Sequence, residues 1–201
     1  MLQDFLAVFI PLLIIVNPSS SLALFSILTA KQDKKGKRLT ARNAVIYATI
    51  LLFIFALAGS SILDYLGISI PALRIAGGLL LGTVGLDMLR RGEQFGETPP
   101  GKEEKTDYAL VPLALPSLSG PGAITLTIVS MKTASLVMVS LAILLTMVIT
   151  FIIFMSSILI IKILGRKGMD ALTRIMGLLT VAIAVQFALT GIAEWLPTVS
   201  L

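Results

Sequence analysis

Six stretches of this chain stay apolar for about 20 residues or more: 5–29, 42–63, 70–89, 108–131, 134–162 and 172–193. A hydrocarbon layer about 30 Å thick takes roughly 20 helical residues to cross, so each stretch is long enough to span it. Inside lipid the backbone N–H and C=O groups find no water, which makes a helix the form each span must take. With 56% hydrophobic and 13% charged residues, the chain has too little polar surface to cover a water-soluble domain of this size. The predicted fold is an all-α integral membrane protein with six transmembrane helices. The fifth stretch exceeds what a crossing needs and is expected to tilt or to project beyond the bilayer.

The net charge of +5 is placed rather than spread. All but Arg74 and Lys132 of the 16 Lys and Arg residues fall between the first and second, third and fourth, or fifth and sixth spans, or just inside the sixth at Arg174. These connections lie on one face of the membrane. Lys and Arg concentrate on the cytoplasmic side, so both termini are expected outside the cytoplasm. Topology and headgroup contact account for the charge, and no nucleic-acid partner is expected. The segment 92–107 (GEQFGETPPGKEEKTD) is polar and rich in Gly and Pro, and reads as a flexible cytoplasmic linker. Tyr65, Tyr108 and Trp195 stand at span ends, where interfacial aromatics belong. The N-terminus carries Asp4 and lacks a basic region before its apolar run, so no cleavable signal peptide is expected.

The linker divides the chain into halves, 1–91 and 108–201, that share a pattern. Arg74-Ile75-Ala76-Gly77-Gly78-Leu79 matches Arg174-Ile175-Met176-Gly177-Leu178-Leu179 at an offset of 100, and Asn17-Pro18 matches Gly120-Pro121 at an offset of 103. Three spans per half force the second half to enter the membrane from the opposite side. The expectation is an inverted repeat of two three-helix units.

Asn17-Pro18-Ser19-Ser20-Ser21 and Ser117-Leu118-Ser119-Gly120-Pro121-Gly122 are helix-start signals set near the middle of the first and fourth spans. Asn17 reads as an N-cap and Pro18 as a first helical residue; Ser119 or Gly120 followed by Pro121 reads the same way. A helix that starts at mid-membrane presents free N–H groups and about half a positive charge. Small residues there let a ligand approach the backbone closely. The candidate substrate-binding residues are Asn17, Pro18, Ser19, Ser20, Ser117, Ser119, Gly120, Pro121, Gly122 and Thr125. Two such helix starts suit a carboxylate, and the carbonyls freed by the breaks suit an ammonium or a sodium ion. A small zwitterion carries both charges. The competing reading is that Pro18 and Pro121 only kink two helices.

For Arg74 and Arg174, each about one turn inside its span, two readings are open: snorkelling to headgroups, or gating through a carboxylate or a loop carbonyl. Gly77, Gly78 and Gly177 are read as close-packing positions. Asp87 lies well into the third span but near Arg90 and Arg91, and is read as interfacial. No acid stands at mid-membrane as an evident proton carrier. With no His and no Cys, and no nucleophile–base pair, an enzyme is not expected. No cofactor or metal is expected either; a proton or sodium ion remains open as a coupling ion.

The runs Asn17-Pro18, GISIPALRIAGGLLLG (67–82), PLALPSLSGPGAI (112–124) and the late RIMGLL resemble the MarC/SnatA family of bacterial and archaeal inner-membrane proteins, in order and over essentially the whole chain. The resemblance implies a six-span protein of the prokaryotic plasma (inner) membrane. The family is linked by name to multiple antibiotic resistance, and its members are associated with transport of small neutral amino acids such as glycine and alanine. It places the site at Asn17-Pro18 and Gly120-Pro121-Gly122. Ser19 stands where some members carry glycine, which bears on substrate size.

The expected function is a secondary transporter, working as an exporter, for small neutral amino acids. The substrate would bind between the two breaks, with one repeat moving against the other. A passive channel for small neutral solutes would share the broken helices but show neither saturation nor exchange. A membrane accessory protein would transport nothing by itself.

Overall fold

The computed structural model describes residues 2–91 and 108–198. Among these every regular element is a helix. Five helices are long and apolar enough to cross a membrane, six when Ala109–Leu118 and Pro121–Thr133, bent by 58° at their junction, count as one span. The expected linker, 92–107, lies outside the described residues.

The first span is two helices, α1 (Leu2–Val16) and α2 (Pro18–Leu28). Then come α3 (Lys34–Leu66), capped by the Asp33 side chain on the Gly36 N–H at 2.8 Å, and α4 (Ile70–Arg91). The fourth span departs from the expected pair of regular half-helices. Ala109–Leu118 is wound irregularly, because Val111 and Leu115 are extended, each directly before a proline that disfavours helical backbone in its neighbour. A regular helix, α5 (Pro121–Thr133), follows.

The fifth span is shorter than expected. The helix α6 (Leu136–Met155) stops at Ser156, and α7 (Ser157–Trp195) begins at once. At Gly165 (φ 61°, ψ −177°) α7 takes a backbone conformation that only glycine adopts readily, and the last crossing is Lys167–Trp195. The surplus length of the fifth apolar stretch is thus a separate piece of α7 ahead of Gly165, with Ile158, Leu159 and Ile163 exposed.

Two packing units result. The first has one continuous core built from α1, α2, α3, the 109–118 segment, α5 and α6, which Met169 of α7 also enters. In it Val8, Leu12, Leu22, Leu52, Leu113 and Met147 are buried, and Phe25 stacks on Phe154 with ring centroids 4.5 Å apart. α3 enters it with Ala41, Ala44 and Ala48, small residues at helical spacing that let backbones approach, followed by Leu52 on the same face.

The second unit is α4 with α7, antiparallel and in close contact through glycine. A Cβ at Gly78 would fall 2.7 Å from the Ala184 carbonyl oxygen, and one at Gly177 2.8 Å from Met88 Cβ. At one end Gly191 lies on Pro71 and Arg74, as expected of a register that also pairs Gly85 with Gly177 and Val181. An arginine secures each end. Arg74 Nε stands 3.3 Å from Glu194 Oε2, and Arg174 donates to the Leu89 carbonyl and to Asp170, each at 3.1 Å.

Candidate binding site between the two helix breaks

At the first break, the expected side-chain cap at Asn17 is not formed. Asn17 is left-handed (φ 46°, ψ 69°), a conformation that Asn tolerates better than most residues and that commonly closes a helix. Its N–H still bonds Leu13 O at 3.1 Å, so it ends α1 while Pro18 opens α2. Its amide is directed sideways, donating to Ser20 Oγ at 2.8 Å and reaching Met88 Sδ at 3.7 Å, and its oxygen accepts from Ser19 Oγ at 2.6 Å.

The second break is built differently. Ser119 is fully buried and both its N–H (2.9 Å) and its hydroxyl (2.7 Å) bond Ala114 O, closing the irregular segment. Gly120 is extended (φ −69°, ψ 173°), as an N-cap residue is, but has no side chain to cap with.

Neither α2 nor α5 therefore has a side-chain cap, whereas α3 and α6, which start at the membrane boundary, are capped by Asp33 and Ser135. The backbone ladders begin with Ser21 N–H on Asn17 O and Ile124 N–H on Gly120 O. That leaves the N–H groups of Ser19, Ser20, Gly122 and Ala123 ahead of them.

The two breaks meet. Ser21 Oγ and Ser117 Oγ lie 2.8 Å apart and share a hydrogen bond across 96 residues of sequence. Beside them is a cavity of about 360 Å³, walled on one side by both breaks and on the other by the α4–α7 pair. Of the residues anticipated from sequence, Asn17, Ser20, Ser117, Gly120, Pro121 and Gly122 line it. Pro18, Ser19, Ser119 and Thr125 do not: Ser119 is turned onto Ala114 O, and Thr125 is packed against Gly77. Gly122 sits between Leu81 and Ile15, where a Cβ would overlap the end of the Leu81 side chain and press on Ile15 Cγ2 at 3.2 Å.

The α4–α7 wall was not anticipated. It brings Leu81, Val84, Asp87 and Met88 from α4, and Thr173 and Thr180 from α7. Asp87 is exposed at the end of the cavity that faces the basic connections, so its closeness in sequence to Arg90 and Arg91 did not keep it from the site. The signal that could have found these residues is their helical spacing, with a threonine seven positions from another on one face of an apolar span. Arg74 and Arg174 stand off the cavity, each joining α4 to α7. Gly77, Gly78 and Gly177 are close-packing positions, as anticipated.

The sequence profile of MarC family integral membrane proteins matches residues 2–196. The chain is 42% identical to a UPF0056 membrane protein of Methanocaldococcus jannaschii, covering 95% of this chain and 97% of that one. It is 38% identical to a UPF0056 membrane protein of Archaeoglobus fulgidus, covering 100% and 97%. It is 33% identical to the UPF0056 inner membrane protein MarC of Escherichia coli, covering 93% of each. No solved structure matches.

Proposed function

This chain belongs to the MarC family of integral membrane proteins, and from that premise we propose that it is a secondary transporter exporting small neutral amino acids such as glycine and alanine across the prokaryotic inner membrane. The observation that carries the reading is the meeting of two uncapped helix starts at one cavity. Free N–H groups and two positive helix ends favour a carboxylate. Asn17 and the serine oxygens supply polar contacts around it.

On the positive-inside reading the basic connections are cytoplasmic and both termini lie outside, which puts the exposed Asp87 toward the cytoplasmic end of the cavity. We read the halves 1–91 and 108–201 as inverted repeats, a reading supported by the reciprocal clasps in which each repeat's arginine reaches the far end of the other repeat's last helix. The moving boundary follows packing: the α4–α7 pair shifts against the unit that holds the breaks, and either a proton or a sodium gradient drives it.

Uptake of labelled glycine and alanine into proteoliposomes under imposed proton or sodium gradients tests this. Saturable uptake that exchanges with internal substrate supports the transporter. Linear, non-exchanging flux would indicate a channel, and no flux by the purified protein an accessory role.

A further inference from the structure

We propose that Asp87 and Thr173 receive the ammonium group of the transported amino acid while its carboxylate rests on the N–H groups that open α5. The proposal deepens the transporter reading above and rests on it.

Asp87 is the sole ionisable side chain among the described residues that line the cavity. No ion pair or hydrogen bond engages it among those residues. Thr173, also on the cavity wall, is 1% exposed, and its hydroxyl has no hydrogen-bond partner. A buried hydroxyl without a partner is costly, and in a cavity wall it points to a ligand that supplies one. The other cavity threonine is satisfied differently, with Thr180 Oγ1 donating to Met176 O at 2.8 Å.

The antiparallel register puts the two residues together. Arg174, next to Thr173, reaches the Leu89 carbonyl, and Gly177 packs on Met88, so Asp87 and Thr173 lie within about one helical turn of the same depth. Met88 in turn meets the Asn17 amide, which places this end of the cavity level with the first break.

Charge decides which group goes where, the ammonium to Asp87 and the carboxylate to the N–H groups of α5, and the length is compatible with it. Leu81 packs on Gly122 at the start of α5, and Asp87 lies six residues further along α4, a rise of about 9 Å. An α-amino acid with a hydrogen bond at each end also spans about 9 Å between protein atoms. That length lets a carboxylate sit at the Gly122 and Ala123 N–H groups with the ammonium at the Asp87 end of the cavity. An ammonium offers three donors, enough for the carboxylate, the Thr173 hydroxyl and one oxygen near Asn17.

Counterflow of labelled alanine in proteoliposomes, with glycine and N-acetylglycine as competitors, tests this in the wild type, Asp87→Asn and Thr173→Val. Wild type should be inhibited by glycine and hardly by N-acetylglycine, which keeps the carboxylate and loses the charged amine. Asp87→Asn should weaken apparent affinity about tenfold, as loss of a charge-assisted hydrogen bond does, and narrow the preference for glycine by a similar factor. Thr173→Val, which keeps shape, should raise the half-saturating concentration several-fold and carries the test if Asp87→Asn does not purify as a monodisperse protein. Wild-type affinity and discrimination in the variants would overturn the proposal. So would intact counterflow with loss of gradient-driven uptake in Asp87→Asn, which would give Asp87 to a coupling cation. Absence of counterflow in the wild type would instead sink the transporter reading itself.

Discussion

Ser21 and Ser117, 96 positions apart, share one hydrogen bond of 2.8 Å, and through it the first turn of α2 is fixed to the segment that leads into α5. Each hydroxyl belongs to a different half of the chain and lines the same cavity. The contact sets the spacing of the two helix starts, and so the geometry of whatever binds between them.

Replacing either serine with alanine should cost about 0.5–1.5 kcal/mol of stability, with the double variant little worse than either single one. Thermal unfolding in detergent, arranged as a double-mutant cycle, measures the coupling. Fully additive losses would mean that the two hydroxyls do not act on each other.

Gly122→Val should abolish glycine and alanine flux while the protein still inserts, because the new side chain would enter the space held by Leu81 and Ile15. Overpacking of this kind costs about 1–3 kcal/mol, which a six-span bundle can survive. Flux in proteoliposomes, normalised to inserted protein, is the readout, and wild-type flux would remove Gly122 from the site.

Asn17 has two separable roles, one in its backbone and one in its amide. Asn17→Gly should keep the left-handed turn and lose the contacts to Ser19, Ser20 and Met88. Asn17→Leu should lose both and add strain of about 1–2 kcal/mol. Both variants are expected to lose flux, with a lower unfolding temperature for the leucine variant than for the glycine variant. Equal unfolding temperatures would argue against a strained turn.

Gly78→Leu should destabilise the protein by more than Gly67→Ala. A side chain at Gly78 meets the backbone of α7, whereas a Cβ at Gly67 meets nothing within 4 Å and has only its left-handed backbone (φ 67°) to strain. Unfolding temperatures of the two variants check the order. The reverse order would argue against a glycine-packed α4–α7 pair.

What the sequence disclosed follows from which forces leave a periodic or compositional trace. Apolar length gave the six spans, and the proline signals gave both breaks, because lipid and a missing N–H act on the chain locally. Asn17 was misread as a side-chain cap because Asn suits both an N-cap and a left-handed turn, and only the neighbouring Ser19, Ser20 and Met88 decide between them. Pro112 and Pro116 were legible as prolines, but their effect on Val111 and Leu115, which unwinds half a span, was not drawn from them. Asp87 was read only as interfacial, and Thr173 was missed, because the α4–α7 register is set by glycine contacts between the halves, which no single stretch of sequence displays. The arginines were read as snorkelling or gating residues, and their partners, Glu194 and the Leu89 carbonyl, join α4 to α7 rather than facing the cavity.

The measurement closest to the central claim is counterflow of labelled alanine in proteoliposomes loaded with unlabelled alanine, run beside Gly122→Val. Saturable uptake, accelerated by internal alanine and lost in the variant, is the predicted result. Uptake that rises linearly with concentration and ignores internal alanine, or that persists in Gly122→Val, would contradict a substrate site between the two breaks.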